Sequence, residues 1–136
     1  MIRLASLLCL LAMAPPAQAQ LVPLRIHVVG LEGGGTVRMA VFDSEASFLD
    51  EAAFASIQPI ADGRSTWTLH VPPGTYAVAV HHDRDGDGDM KRGLFGIPTE
   101  PTGFSNGARA RFGPPKWRDA AVPVQPSGTT VHIRVR

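Results

Sequence analysis

The sequence contains one cysteine, Cys9, and it lies inside the apolar stretch near the start. Beyond that stretch there is neither a disulfide framework nor thiol chemistry. An excess of charge is missing too. Thirteen Lys and Arg face twelve Asp and Glu, for a formal net charge of +1 at pH 7. With Arg3 set aside as part of a leader, the balance is zero. Bulk charge therefore gives no reason to expect nucleic acid or an anionic membrane as a partner. Helix-period apolar stripes are nearly absent, and no apolar run is long enough to span a bilayer. No phosphate loop and no G-x-S-x-G turn occur, and the string Gly103-Phe104-Ser105-Asn106 does not resemble one.

The start of the chain reads as a leader. Arg3 supplies a positive region, Leu4 to Ala14 an apolar one, and Ala17-Gln18-Ala19 a small-x-small cleavage site. Residues 1–19 are expected to be a signal peptide cut before Gln20, so the protein is periplasmic or secreted. Leu8 precedes Cys9 where a lipoprotein signal needs a small residue, so no lipid anchor is expected. Residues 20–136 have the length of one domain, which buries roughly two-thirds of its unfolded surface. The expected partner is an envelope component or a small molecule, and the expected state is a monomer without a transmembrane segment.

Glycine and proline punctuate a series of short alternating segments, which points to an all-β domain. Leu24 to Leu31 reads as a strand with Leu24, Ile26 and Val28 facing inward. Gly33-Gly34-Gly35 is a hairpin turn, and Thr36 to Phe42 returns with Val37, Met39 and Val41 inward. A short helical turn is expected over Glu45 to Phe54, with Phe48, Leu49 and Phe54 covering one end of the core. Ile57 to Ile60 is an edge strand because Pro59 has no N–H to donate to a ladder. Arg64 to Val71 alternates with Ser65, Trp67, Leu69 and Val71 inward. Thr75 to His82 follows, Tyr76, Val78 and Val80 on one face and Ala77, Ala79 and His81 on the other. Residues 83–116 form one long connection without periodicity, the kind of loop that carries function. Ala120 to Val124 and Thr129 to Val135 complete a single sandwich of about seven strands, immunoglobulin-like or transthyretin-like.

The chemistry concentrates where the Thr75 strand ends. Asp83, Asp85 and Asp87 take the first, third and fifth positions of a calcium loop. Gly88 falls at the sixth, where a sharp turn is needed, and Asp89 at the seventh. Oxygen ligands at alternate residues converge on one hard cation about 2.3–2.6 Å away. Lys91 and Leu94 break the pattern at the ninth and twelfth positions, and Glu100 is the candidate that closes the shell. The expected calcium ligands are thus Asp83, Asp85, Asp87, Asp89 and Glu100. Without a cation this is an acidic turn neutralised by Arg84, Lys91 and Arg92.

Two other chemistries are open. His81, His82, Asp83 and Glu100, with Ser105 as a nucleophile, would suit a small envelope hydrolase. Copper or zinc could bind surface histidines, since His27, His70 and His132 all read as outward-facing and two can meet across strands. His81 and His82 point to opposite faces and do not easily share an ion. Arg109, Arg111, Lys116 and Arg118, with Phe112 and Trp117, form a basic-aromatic stretch that reads as loop side chains packing over the sandwich end and pairing with the Asp run. Gly96 to Asn106 reads as a rigid strap, with Phe104 buried, Ser105 or Asn106 bonded to loop backbone, and Glu100 facing the acidic turn or an arginine.

The run from Tyr76 to Asp83, Asp85-Gly-Asp-Gly88, the string Gly96-Ile-Pro-x-Glu100-x-x-Gly103-Phe-Ser-Asn106, Arg109 and Gly113-Pro-Pro115 together resemble the bacterial exported family called domain of unknown function 2141. The resemblance covers most of the chain after the leader. It implies a transthyretin-like, or prealbumin-like, sandwich, consistent with Pro72-Pro73-Gly74-x-Tyr76 opening a strand. Members commonly carry Asn at the positions of Asp85 and Asp87, and Asp at that of Lys91. The resemblance implies no activity.

Overall fold

Side-chain alternation sets the architecture. The computed structural model describes residues 18–90 and 99–136, so the leader reading lies almost wholly outside the described residues. Among the described residues there are eight strands: β1 (Val22–Val29), β2 (Thr36–Phe42), β3 (Phe54–Pro59), β4 (Arg64–Val71), β5 (Gly74–Asp83), β6 (Thr102–Phe104), β7 (Val122–Val124) and β8 (Thr129–Arg134). They form two sheets, one ordered β4-β1-β8, the other β3-β2-β5-β6 with β7 also paired to β5. β1 and β8 run parallel; the remaining pairs are antiparallel.

The inward faces are those the alternation predicts. Leu24, Ile26 and Val28 of β1, Val37, Met39 and Val41 of β2, and Val131 and Ile133 of β8 are buried, as are Tyr76, Val78 and Val80 of β5. They interdigitate with Trp67 of β4 in one core between the sheets. Each fully buried Val, Leu or Ile contributes about 1.5–3 kcal/mol, and Leu31 and Val135 extend the cluster past the strand ends.

Three features depart from the sequence reading. The stretch expected to be helical, Glu45 to Phe54, is a run of turns and bends that ends where Phe54 enters a strand. Leu49 adopts a left-handed backbone (φ 62°), which no right-handed helix continues through. Phe54 opens edge strand β3 and is exposed, like Leu49; Phe48 alone packs inward, edge-on to Phe42 and Trp117. Second, residues 117–120 form a four-residue helix, α1 (Trp117–Ala120), so the next strand starts at Val122.

Third, the long connection contains β6, the strand beyond the expected seven. Its Ala79–Phe104 and His81–Thr102 pairs extend the five-stranded sheet. Gly103 at its centre admits no side chain, because a Cβ would stand 2.6 Å from Ile133 Cγ2. Reciprocal backbone bonds between Thr102 and Arg136 (3.1 and 3.0 Å) tie β6 to the end of β8.

This connection folds over the outer face of β5. Ala77, His81 and Asp83 are buried there. The small side chains of Ala77 and Ala79 allow the close approach, and Ala77, Phe104 and Ala120 form a second apolar cluster with Phe48 and Trp117. The burial and hydrogen bonds expected of the strap are present in its described part. Phe104 is buried, Ser105 Oγ accepts from Val78 N–H (2.8 Å) and donates to the Ala120 carbonyl, and Asn106 Nδ2 donates to the Asp119 carbonyl (3.0 Å). Gly96, Ile97 and Pro98 lie outside the described residues.

Candidate functional site

β5 leaves its sheet at Asp83, paired with Thr36 at the last register position. Gly86 and Gly88 follow with φ of 71° and 86°, left-handed values that cost glycine little. They curl the chain back onto Asp83. Gly86 N–H donates to Asp83 Oδ1 (2.8 Å), and Gly88 N–H donates to Oδ2 (2.9 Å). The pattern then repeats down the turn. Asp85 Oδ1 accepts from Asp87 N–H (3.3 Å), and Asp87 Oδ1 from Asp89 N–H (2.9 Å). The carboxylate oxygens of Asp83, Asp85 and Asp87 thereby lie within 4.8 Å of one another, one carboxylate buried and two exposed. Oxygen donors so spaced suit a hard cation such as calcium.

Asp89 and Glu100 are placed differently. Asp89 stands outside the three-carboxylate group and enters the turn through its backbone N–H. Glu100 is buried on the outer side of β5, hydrogen-bonded through Oε2 to His81 Nε2 (2.7 Å) and through Oε1 to Arg84 N–H (3.1 Å). It braces the start of the turn through the backbone of Arg84. Lys91, Arg92 and Leu94 lie outside the described residues.

The cation that reaches Asp83 is Arg38 of β2, whose Nε donates to Oδ2 at 3.2 Å. Sequence reasoning passed it over because it is 45 residues away. One signal was available: Arg38 is the single charged residue in an otherwise largely apolar strand, TVRMAVF. Burial by itself would push the Asp83 carboxyl up. The Gly88 N–H, the Arg38 guanidinium and the Gly86 N–H together outweigh burial and a hydrogen bond shared with Asp85, and hold it below the usual carboxylate range.

A lowered folded pKa means that Asp83 stabilises the fold above its unfolded value of about 3.9, and that this stability is lost as pH falls through the folded value. Asp83→Asn should therefore melt earlier than wild type at neutral pH, the gap narrowing below about pH 4. Thermal melts across an acid series check this. A gap that stays constant into the acid range would assign the effect to the shape of the turn, not to its charge.

Beside the turn lies an apolar trough on the outer face of the five-stranded sheet. Ala55, Ala40 and Ala79 are direct cross-strand neighbours on β3, β2 and β5, making a floor of methyl groups. The row two residues along holds Ile57, Arg38 and His81. The resulting cavity is about 680 Å³, walled by Phe104, Leu49 and Met90, within the range of small-molecule sites. Arg38 thus borders the trough while bonding the acidic turn.

The hydrolase constellation does not assemble as one unit. His81 and Glu100 meet. His82, however, points into the core between the sheets, its Nε2 bonded to the Gly34 carbonyl (2.9 Å). Ser105 is fully enclosed between Val78 and Ala120. Among the surface histidines, His27 and His132 occupy paired positions on β1 and β8 and stack at 5.3 Å, whereas His70 pairs with Pro23 at the other end of β1. Among the described residues, Asp83, Asp85 and Asp87 form the one group of three ligating side chains close enough to share an ion. No helix among them is long and apolar enough to cross a membrane.

Over residues 26–132 the sequence matches the family described as "Uncharacterized protein conserved in bacteria (DUF2141)". No curated protein and no solved structure matches it.

Proposed function

The chain belongs to that bacterial family, and from this premise we propose that it is an exported β-sandwich binding module of the cell envelope whose acidic turn is ordered by calcium. The observation that carries the reading is the convergence of the Asp83, Asp85 and Asp87 oxygens within 4.8 Å on a turn held by its own N–H bonds. A cation adds ligand bonds to an arrangement the backbone already favours. Export rests on the leader pattern of residues 1–19. The ligand surface is the trough beside the turn, where Arg38 connects the two. Binding is favoured over hydrolysis because His81 and Glu100 engage each other and Ser105 is enclosed.

Affinity should be weak, roughly 10⁻⁴–10⁻³ M, as for calcium sites of extracellular modules. Calcium at about ten times the dissociation constant should add roughly 1.4 kcal/mol, a rise in Tm of several degrees over chelator. Magnesium should do less, since it is smaller and releases its waters reluctantly. Asp85→Ala with Asp87→Ala should remove the response and lower the chelator melt only modestly, because the turn bonds these carboxylates accept are at exposed positions. Identical melts of wild type in millimolar calcium and in chelator would end the calcium reading.

A further inference from the structure

The chain as a whole is nearly neutral, yet its cations are not spread evenly. On β8, Val131 and Ile133 point into the core, as does Val135 beyond the strand end, so His132, Arg134 and Arg136 face outward in alternation. β6 lies against the end of this strand through the Thr102–Arg136 bonds, and Gly103 makes that approach possible. The chain then passes a short 3-10 turn (Ser105–Gly107) and brings Arg109 and Arg111, two residues apart, over the same region. The result is a cleft of about 430 Å³ lined by Arg109, Arg111, Arg134, Arg136 and His132, with no acidic side chain among the described residues of its lining.

None of these four arginines has an ion-pair partner among the described residues. They outnumber even a terminal carboxylate at Arg136. Four guanidinium groups gathered from two separate segments repel one another, and the fold derives no ion pair from the arrangement. A concave surface lined by one sign of charge focuses the field and concentrates anions. Guanidinium forks match the oxygens of phosphate in two-point contacts that an ammonium cannot make. Phe112, 99% exposed, follows Arg111 directly and projects from the same connection.

We propose that this cleft binds a phosphate group, carried either by a soluble phosphorylated molecule or by a lipid headgroup. Its cationic residues belong to neither the acidic turn nor the trough, although Thr102, Phe104 and Ala110 form a wall between the cleft and the trough, and the site stands whether or not calcium binds.

Titration of the full chain with pyrophosphate, followed by calorimetry at low ionic strength, tests the cleft directly. Vesicles of phosphatidylglycerol, against phosphatidylcholine alone, test the lipid source by co-sedimentation. Arg109→Gln with Arg134→Gln should weaken binding to the productive probe about ten-fold or more. The melting temperature should hold, because both side chains are exposed and unpaired. Pyrophosphate binding without vesicle binding assigns a soluble ligand. Vesicle binding that also falls in Phe112→Ala assigns a headgroup, the ring entering the interface beside the phosphates. Failure of both probes, or equal binding by the double arginine variant, overturns the proposal. So does equally strong binding of sulfate or chloride, since the cleft would then be a general anion attractor.

Discussion

Phe104→Ala should lower the stability of the domain by about 3–5 kcal/mol, the cost of deleting a buried aromatic side chain. Phe104 is 8% exposed, sits opposite Ala79 at the edge of the five-stranded sheet, and packs with Ala77 and Ala120 in the second cluster. Its cluster neighbours are mostly alanines, which cannot extend to refill the space, with Phe48 and Trp117 packed against the same cluster, so a cavity term adds to the lost burial. A loss of this size is a large fraction of the 5–15 kcal/mol typical of a domain, and denaturant melts will show it as a displaced midpoint. Phe112→Ala is the matched control, because that ring is 99% exposed and its removal should change stability by no more than about 0.5 kcal/mol. If Phe104→Ala melts with wild type, the strap does not hold the sheet face and the ring is available to a ligand.

Gly35→Ala should cost a comparable amount, about 2–6 kcal/mol, by combining backbone strain with overpacking. Gly35 has φ 95°, and a Cβ there would run into the Asp83 carbonyl oxygen and stand 2.8 Å from Arg84 Cα. The atoms in the way are backbone, so no side chain can swing aside. Relief requires moving β2 away from β5 at the point where Asp83 begins the acidic turn. The variant should therefore lose cation response as well as stability. Gly34→Ala next door meets nothing within 4 Å and has no positive φ, so it should melt close to wild type. Equal melts for the two variants would show that the turn relaxes and that Asp83 is not fixed by its closeness to Gly35.

The glycine triplet shows where sequence reading stops. Gly33-Gly34-Gly35 announces a hairpin turn, but composition does not say which glycine is indispensable. That depends on Asp83 and Arg84, which arrive 48 residues later in the chain. β6 was hidden for a related reason. Three residues containing a glycine, directly after a proline, give no alternation to detect, and the strand exists because β5 and the end of β8 supply its partners. Arg38 was legible as an odd charge in an apolar strand, yet its contact with Asp83 follows from the β2–β5 register alone.

What the sequence determined by itself was local. Period-2 alternation set the inward faces of β1, β2, β4, β5 and β8, because a strand's side chains must point alternately to its two sides. The alternation of Asp and Gly from Asp83 to Asp89 set the acidic turn, because short carboxylates bond the N–H groups just ahead of them and glycine permits the left-handed steps between. The tertiary structure decided whatever joins distant segments. It placed Arg38 on Asp83, paired Glu100 with His81, buried the outer face of β5 under the connection, and gathered Arg109 and Arg111 with Arg134 and Arg136. A side chain's partners across sheets are set by strand order and register, and these emerge only when all the apolar faces are buried together.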